Sequence, residues 1–153
     1  MSIEAKLQEL GITLPEPAAP VASYLPAVEA GGFLHVSGQI SMREDGSLIL
    51  GTLGEDVNLD GGIAAARRCG IMLIAQMKAA LGDLDRVEKI VKLGGFVNSA
   101  SDFTDQPKVV NGASDLMQEV FGEAGRHARS AVGVNTLPLG VAVEVDAIVK
   151  IRD

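Results

Sequence analysis

The sequence predicts an α+β fold, its strands and helices in the order β-β-α-β-α-β-β, with two helices lying on one face of a mixed sheet. Three observations carry that expectation. Residues 60–81 repeat apolar or small side chains at three- and four-residue intervals (Ile63, Ala66, Gly70, Ile74, Met77, Leu81), the period of a buried helix. From Val141 onward the odd positions Val141, Val143, Val145, Ala147, Val149 and Ile151 alternate with Glu144, Asp146, Lys150 and Arg152, the period of a half-buried strand. Two further strand patterns, over 24–30 and 33–39, meet at Gly31-Gly32 in the manner of a two-residue hairpin turn.

Each element has its own justification. Ser2 can cap a short helix with Ile3, Leu7 and Leu10 on one side and Gly11 at its end. Pro15, Pro17 and Pro20 cannot donate backbone hydrogen bonds, so an extended arm follows, laid across the domain and reaching to about residue 21. The 60–81 helix has Asn58 or Asp60 as its cap and Gly82 as its stop. A strand over 87–97 carries Gly94-Gly95, the mark of a bulge or a close backbone approach. A second helix starts near Asp105 with Pro107 in its first turn and ends at Gly122. The 153 residues fit one domain, long enough to bury about 68–70% of the unfolded surface.

The last strand invites a hairpin reading. Leu137-Pro138-Leu139-Gly140 punctuates the chain, so residues 129–136 read as the antiparallel partner of the 141–151 strand. Pairing Thr136 with Val141 sets Val134 against Val143, Val132 against Val145, Gly133 against Glu144 and Arg129 against Ile148. One face then carries valines. The other carries Arg129 and Glu144 above a floor of Ala131 and Gly133, a hollow that could hold a ligand. A plain surface ion pair, contributing about 0–1 kcal/mol, explains the two charges equally well at this point.

Composition removes several classes of function. A net charge of −7 and 3% aromatic residues argue against a nucleic-acid surface, which needs cations for phosphates and rings for bases. The one cysteine, Cys69, excludes an internal disulfide, and no His or Cys has a companion at zinc-ligand spacing. Cys69 reads as inert packing on an apolar helix. No apolar run reaches the roughly 18 residues of a membrane span and no leader pattern opens the chain, so the expected address is the cytoplasm. Gly112-Ala113-Ser114 falls inside a helix and not at the strand-to-helix turn a nucleophile elbow requires. His35, within an apolar strand, reads as a hydrogen-bonded structural histidine. His127 could pair with Ser130, yet no third group orients it, and a surface or capping role fits better.

Four collinear motifs carry a family resemblance across residues 22–151. Ala128-Arg129-Ser130, Leu137-Pro138 and Val143-Glu144-Val145-Asp146-Ala147 resemble the C-terminal signature of the Rid (YjgF) family of enamine/imine deaminases. Ser37-Gly38-Gln39-Ile40 resembles the family's Ser-Gly-Gln motif, Tyr24 falls where the family has an upstream tyrosine, and Val110-Asn111 resembles its helical Val-Asn. The resemblance implies a chorismate-mutase-like fold, a homotrimer closed around a central barrel, and three sites in the clefts between subunits. It implies hydrolysis of 2-aminoacrylate- or 2-iminobutyrate-type intermediates to 2-keto acids and ammonia without metal or cofactor.

The site residues are implied in the same way. Arg129 would hold the substrate carboxylate and Glu144 would orient a water. Tyr24 would line the pocket from a neighbouring subunit, with Ser37, Gly38, Asn111 and Ala131 at substrate-binding positions. Two other functions use the same residues differently: a protein that binds small carboxylates without turnover, and an endoribonuclease. The acidic charge and the lack of a paired His/Lys acid-base set weigh against the last.

Overall fold

The computed structural model describes residues 1–18 and 23–153; Pro20 of the expected arm lies outside the described residues. Helix α1 spans Ile3–Glu9, and Ser2 caps it by accepting from the Ala5 amide at 3.1 Å. Strands β1 (Ala27–Ala30) and β2 (Phe33–Ile40) form an antiparallel pair. Gly31 and Gly32, at φ 61° and 85°, make the turn between them, a conformation that favours glycine over other residues. Helix α2 runs from Leu59 to Leu81 and its cap is Asn58, whose side chain accepts from the Gly61 amide. Strand β3 spans Val87–Asn98, helix α3 Gln106–Phe121, strand β4 Ala128–Val134 and strand β5 Val143–Ile151. The predicted order therefore stands, with α1 placed before it.

The sheet order is β1-β2-β5-β3-β4, and only β3 and β4 run parallel. The C-terminal hairpin is not formed. Strand β4 pairs with β3, Leu93 opposite Arg129 and Phe96 opposite Val132, while β5 lies between β2 and β3. The physical reason is α3, which supplies the long crossover that a parallel pair requires. The 135–142 segment then spans from the β4 edge past the end of β3. There Val141 bridges Leu50 instead of Thr136, and Asn98 holds it by donating from Nδ2 to the Val141 carbonyl at 3.2 Å.

Helices α2 and α3 cover one face. The odd positions of β5 are buried beneath them with Leu34, Val36, Ile90, Leu93 and Val97. Missing side chains allow close approach. A Cβ on Gly95 would meet Val110 of α3, and one on Gly112 would collide with the Ile63 carbonyl of α2. Gly94-Gly95 is thus a site of close approach; the register shifts of β3 fall earlier, between Val87 and Lys92. Leu14, Pro15 and Pro17 line a groove with Ala75, Lys78 and Ala79 of α2, so the described part of the arm does lie on the helical layer. Cys69 is fully buried with its thiol against the Val143 carbonyl, and burial pushes its pKa far up.

The opposite face has a different character. Val28, Phe33, Ile40, Phe96, Val132 and Ile148 fall on it, interspersed with His35, Asp146 and Glu144. Val28 and Val132 are each 45% exposed, an apolar presentation unlike the polar outer face of a solvated sheet. His35 is exposed here and not held in the core. Alternation along β2 turns it away from its buried neighbours Leu34 and Val36.

Candidate functional site

The structure separates the two residues on which the sequence reading centred. Arg129 pairs with Leu93, which pairs with Ala147, and all three project toward the helices. Glu144 pairs with Phe96, itself opposite Val132, on the uncovered face. In one protomer the guanidinium and the carboxylate therefore lie on opposite sides of the sheet, and the shared hollow floored by Ala131 and Gly133 does not exist. With β4 paired to β3 and not to β5, the register that put them together is replaced by one that puts them apart.

Arg129 is held against α3. Its Nη1 donates to Asn111 Oδ1 at 2.9 Å and to Ser114 Oγ at 3.1 Å, and its Nη2 donates to the Pro107 carbonyl at 3.1 Å. Of the five N–H groups of a guanidinium, two remain without a partner among the described residues. The acceptors Pro107, Asn111 and Ser114 follow a helical stripe that Gln118 continues, spaced four, three and four residues apart, so the four share one side of α3. Beside them opens a hollow of about 220 Å³ lined by Asn111, Ser114, Asp115, Gln118, Arg126, His127 and Arg129. Ala131 lies two residues beyond Arg129 on the same sheet face, half-buried against the core.

His127 belongs to this cluster, and its partner is Ser114, not Ser130. Its Nδ1 lies 2.6 Å from the Gly125 carbonyl and its Nε2 lies 2.9 Å from Ser114 Oγ. A carbonyl can only accept, so Nδ1 carries the proton, and Nε2 of the neutral ring accepts from the Ser114 hydroxyl. Partial burial holds the imidazole below its ordinary pKa. The Gly125 carbonyl opposes that effect, while the charges of Arg129 and Lys89 reinforce it. The orienting group that the sequence did not reveal is a backbone oxygen.

Glu144 sits in a second cluster. Strand β2 shifts register between Val36 and Gln39, and at this bulge a Cβ on Gly38 would come within 2.7 Å of Glu144 Oε2. The carboxylate thus lies over a glycine that leaves it room. Ser37 donates its hydroxyl to the Leu25 carbonyl and its amide to the Pro26 carbonyl, both at 2.9 Å, tying the segment that carries Tyr24 to the same bulge. Tyr24 is 61% exposed. Glu144 has no hydrogen-bond or ion-pair partner among the described residues, and its pKa is raised by burial and then by Asp146. No group of three His, Cys, Asp or Glu side chains among the described residues could hold a metal ion.

Of the predicted site residues, the fold gathers Arg129, Asn111 and Ala131 on the α3 side, and Glu144, Gly38, Ser37 and the Tyr24 segment at the β2 bulge. Sequence reasoning missed Ser114 as a partner of Arg129 and His127 as the partner of Ser114. The Pro107, Asn111, Ser114, Gln118 stripe was the available signal.

A five-stranded mixed sheet with two helices on one face, an arginine anchored to an Asn on the second helix, and a Ser-Gly bulge beneath a glutamate together define a class. The chain belongs to the family described as "YjgF/chorismate_mutase-like, putative endoribonuclease", which matches residues 4–149. Among its relatives, Protein TCP17 of Trypanosoma cruzi is 53% identical over 152 residues, covering 99% of this chain and 95% of that one. The 2-iminobutanoate/2-iminopropanoate deaminase of Dermatophagoides farinae is 28% identical over 143 residues, covering 92% and 95%. The crystal structure of the protein Atu1372 from Agrobacterium tumefaciens superimposes with a TM-score of 0.91 at 45% identity, covering 99% of this chain and 94% of that one.

Proposed function

We propose that this protein hydrolyses reactive enamine and imine intermediates of the 2-aminoacrylate and 2-iminobutyrate type to 2-keto acids and ammonia, in clefts between the protomers of a homotrimer. The observation that carries the reading is the Arg129 guanidinium, fixed on α3 by three acceptors beside a polar hollow, with two N–H groups left for a substrate carboxylate. A relative named as a 2-iminobutanoate/2-iminopropanoate deaminase adds weight. Each charged hydrogen bond to that carboxylate contributes about 1.5–3 kcal/mol.

The trimer supplies what one protomer lacks. Glu144, on the apolar sheet face, comes to the Arg129 of an adjacent protomer when those faces assemble, bringing with it Gly38, Ser37 and Tyr24. Its carboxylate orients the attacking water. The uncatalysed reaction already proceeds in water, so positioning and charge complementarity suffice for the acceleration.

Purified protein should speed ammonia release from freshly generated 2-iminobutyrate. Arg129→Ala should lower kcat/KM by about 10- to 150-fold, the equivalent of one charged hydrogen bond. Turnover unaffected by Arg129→Ala overturns the reading.

A further inference from the structure

We propose that Ser114 and His127 are the proton-transfer pair of this site, moving a proton from the attacking water to the departing nitrogen of a substrate held at Arg129. The inference rests on the imine-hydrolase reading and gives two residues a proton-transfer role that it does not assign them.

The geometry begins with the guanidinium. A carboxylate bound there lies about 2.8 Å from its nitrogens. A 2-imino acid carries its C=N group on the carbon next to that carboxylate. The donors left to that carboxylate are on Nε and Nη2, and Ser114 Oγ, 3.1 Å from Arg129 Nη1, lines the same hollow, so its hydroxyl faces the space that the rest of the substrate enters. Behind it, 2.9 Å away, is His127 Nε2, with the ring fixed through Nδ1 on the Gly125 carbonyl. Nucleophile or water, hydroxyl, imidazole and orienting oxygen form the standard geometry of an acid-base relay. A purely structural role accounts for Ser114, which Arg129 needs as an acceptor. It leaves the aligned imidazole unexplained. The one histidine at the hollow rests neutral near pH 7, ready to accept a proton, because burial lowers its pKa.

The steps balance. Water adds to the carbon of the protonated imine and a C–O bond forms; the π pair goes to nitrogen. The water proton passes to Ser114 Oγ as the seryl proton passes to His127 Nε2, leaving a neutral carbinolamine and an imidazolium. The imidazolium returns its proton through Ser114 to the nitrogen, the C–N bond breaks, and the hydroxyl becomes the carbonyl of the 2-keto acid as its proton departs with ammonia as ammonium.

The charged groups on the elements packed around His127 are Arg129 on β4, Arg126 in the loop before it, Lys89 on β3, Asp115 on α3 and Glu123 in the preceding turn. The neutral ring is the active form, so kcat/KM for 2-iminobutyrate should fall as pH drops through a pKa below the ordinary imidazole value. His127→Gln keeps an acceptor for Ser114 but cannot titrate. It should lower turnover by about 100-fold or more and abolish that acid limb, while 2-ketobutyrate still binds with wild-type affinity. Ser114→Ala should be comparably slow, and Ser114→Thr should recover part of the loss. If His127→Gln retains the limb, or Ser114→Ala turns over as the wild type does, the pair is not the relay and the deaminase reading survives. If the wild-type protein binds 2-ketobutyrate but never hydrolyses the imine, both fall.

Discussion

In the proposed site the two faces of the sheet carry two halves that differ in how complete they are. On the helix side, Arg129 has three acceptors and opens onto a hollow, and the serine and histidine beside it are held in place by hydrogen bonds. On the open side, Glu144 has room above Gly38 but no partner, and its pKa is raised by burial and by Asp146. The helix-side half is finished by its own chain. The open-face half is surrounded by Val28, Phe33, Phe96, Val132 and Ile148, which is the composition of a surface made to be covered. A carboxylate left unpaired beside such a surface is a group awaiting a neighbour, whereas an arginine held by three acceptors is one already positioned.

That contrast can be broken at the open face with the largest effect. Val132→Glu places a carboxylate on the exposed edge of the apolar surface without touching α3. It should convert trimers to monomers in sedimentation and reduce imine turnover to background, while 2-ketobutyrate still binds at Arg129. A monomer with full turnover contradicts the division between the halves. Gly38→Ala acts next. The added methyl pushes on the far end of the Glu144 side chain, so the fold should hold, whereas turnover should drop by about 10- to 100-fold, the cost of displacing a reacting group by about 1 Å. Unchanged kinetics would remove Glu144 from the chemistry.

The smallest effect is on stability. Burial raises the Asp146 carboxyl above its unfolded value, against the Gly94 amide and Lys92, which lower it. Folding therefore favours the protonated acid; the stability is fully present below the unfolded pKa and is lost as pH rises through the folded one. Asp146→Asn should raise Tm at pH 7 by at most about 2–4 °C, and the difference should vanish near pH 3. A lower Tm at pH 7 would mean that a cation of an adjacent chain already pairs with Asp146.

How much of this could be read from the chain itself follows from the range of the interactions involved. Caps, turns and helices are local: Ser2, Asn58, Gly31-Gly32 and the 60–81 periodicity each specify their own neighbourhood, and each is found where the sequence predicts it. Strand partnership is not local. Alternation along 141–151 gives the correct buried face, but nothing in 129–140 says that β3 will insert between β4 and β5, and the short Pro-Gly loop imitates a hairpin turn. That one error carried Arg129 to the wrong face. The individual site positions do not depend on that pairing, because motif resemblance names positions without requiring it. Ser114 is set aside with the nucleophile-elbow pattern because it lies inside a helix, and its partners appear only once β4 brings Arg129 and His127 to it.

The most direct test of a site divided between chains is complementation. Arg129→Ala and Glu144→Gln should each retain at most about a tenth of wild-type turnover alone. Unfolded together in equal amounts and refolded, they should form mixed trimers in which about one quarter of the clefts pair an intact Arg129 with an intact Glu144 of the neighbour, restoring about a quarter of wild-type imine hydrolysis. Restoration to that level is the predicted result. A mixture no faster than its components would contradict the account.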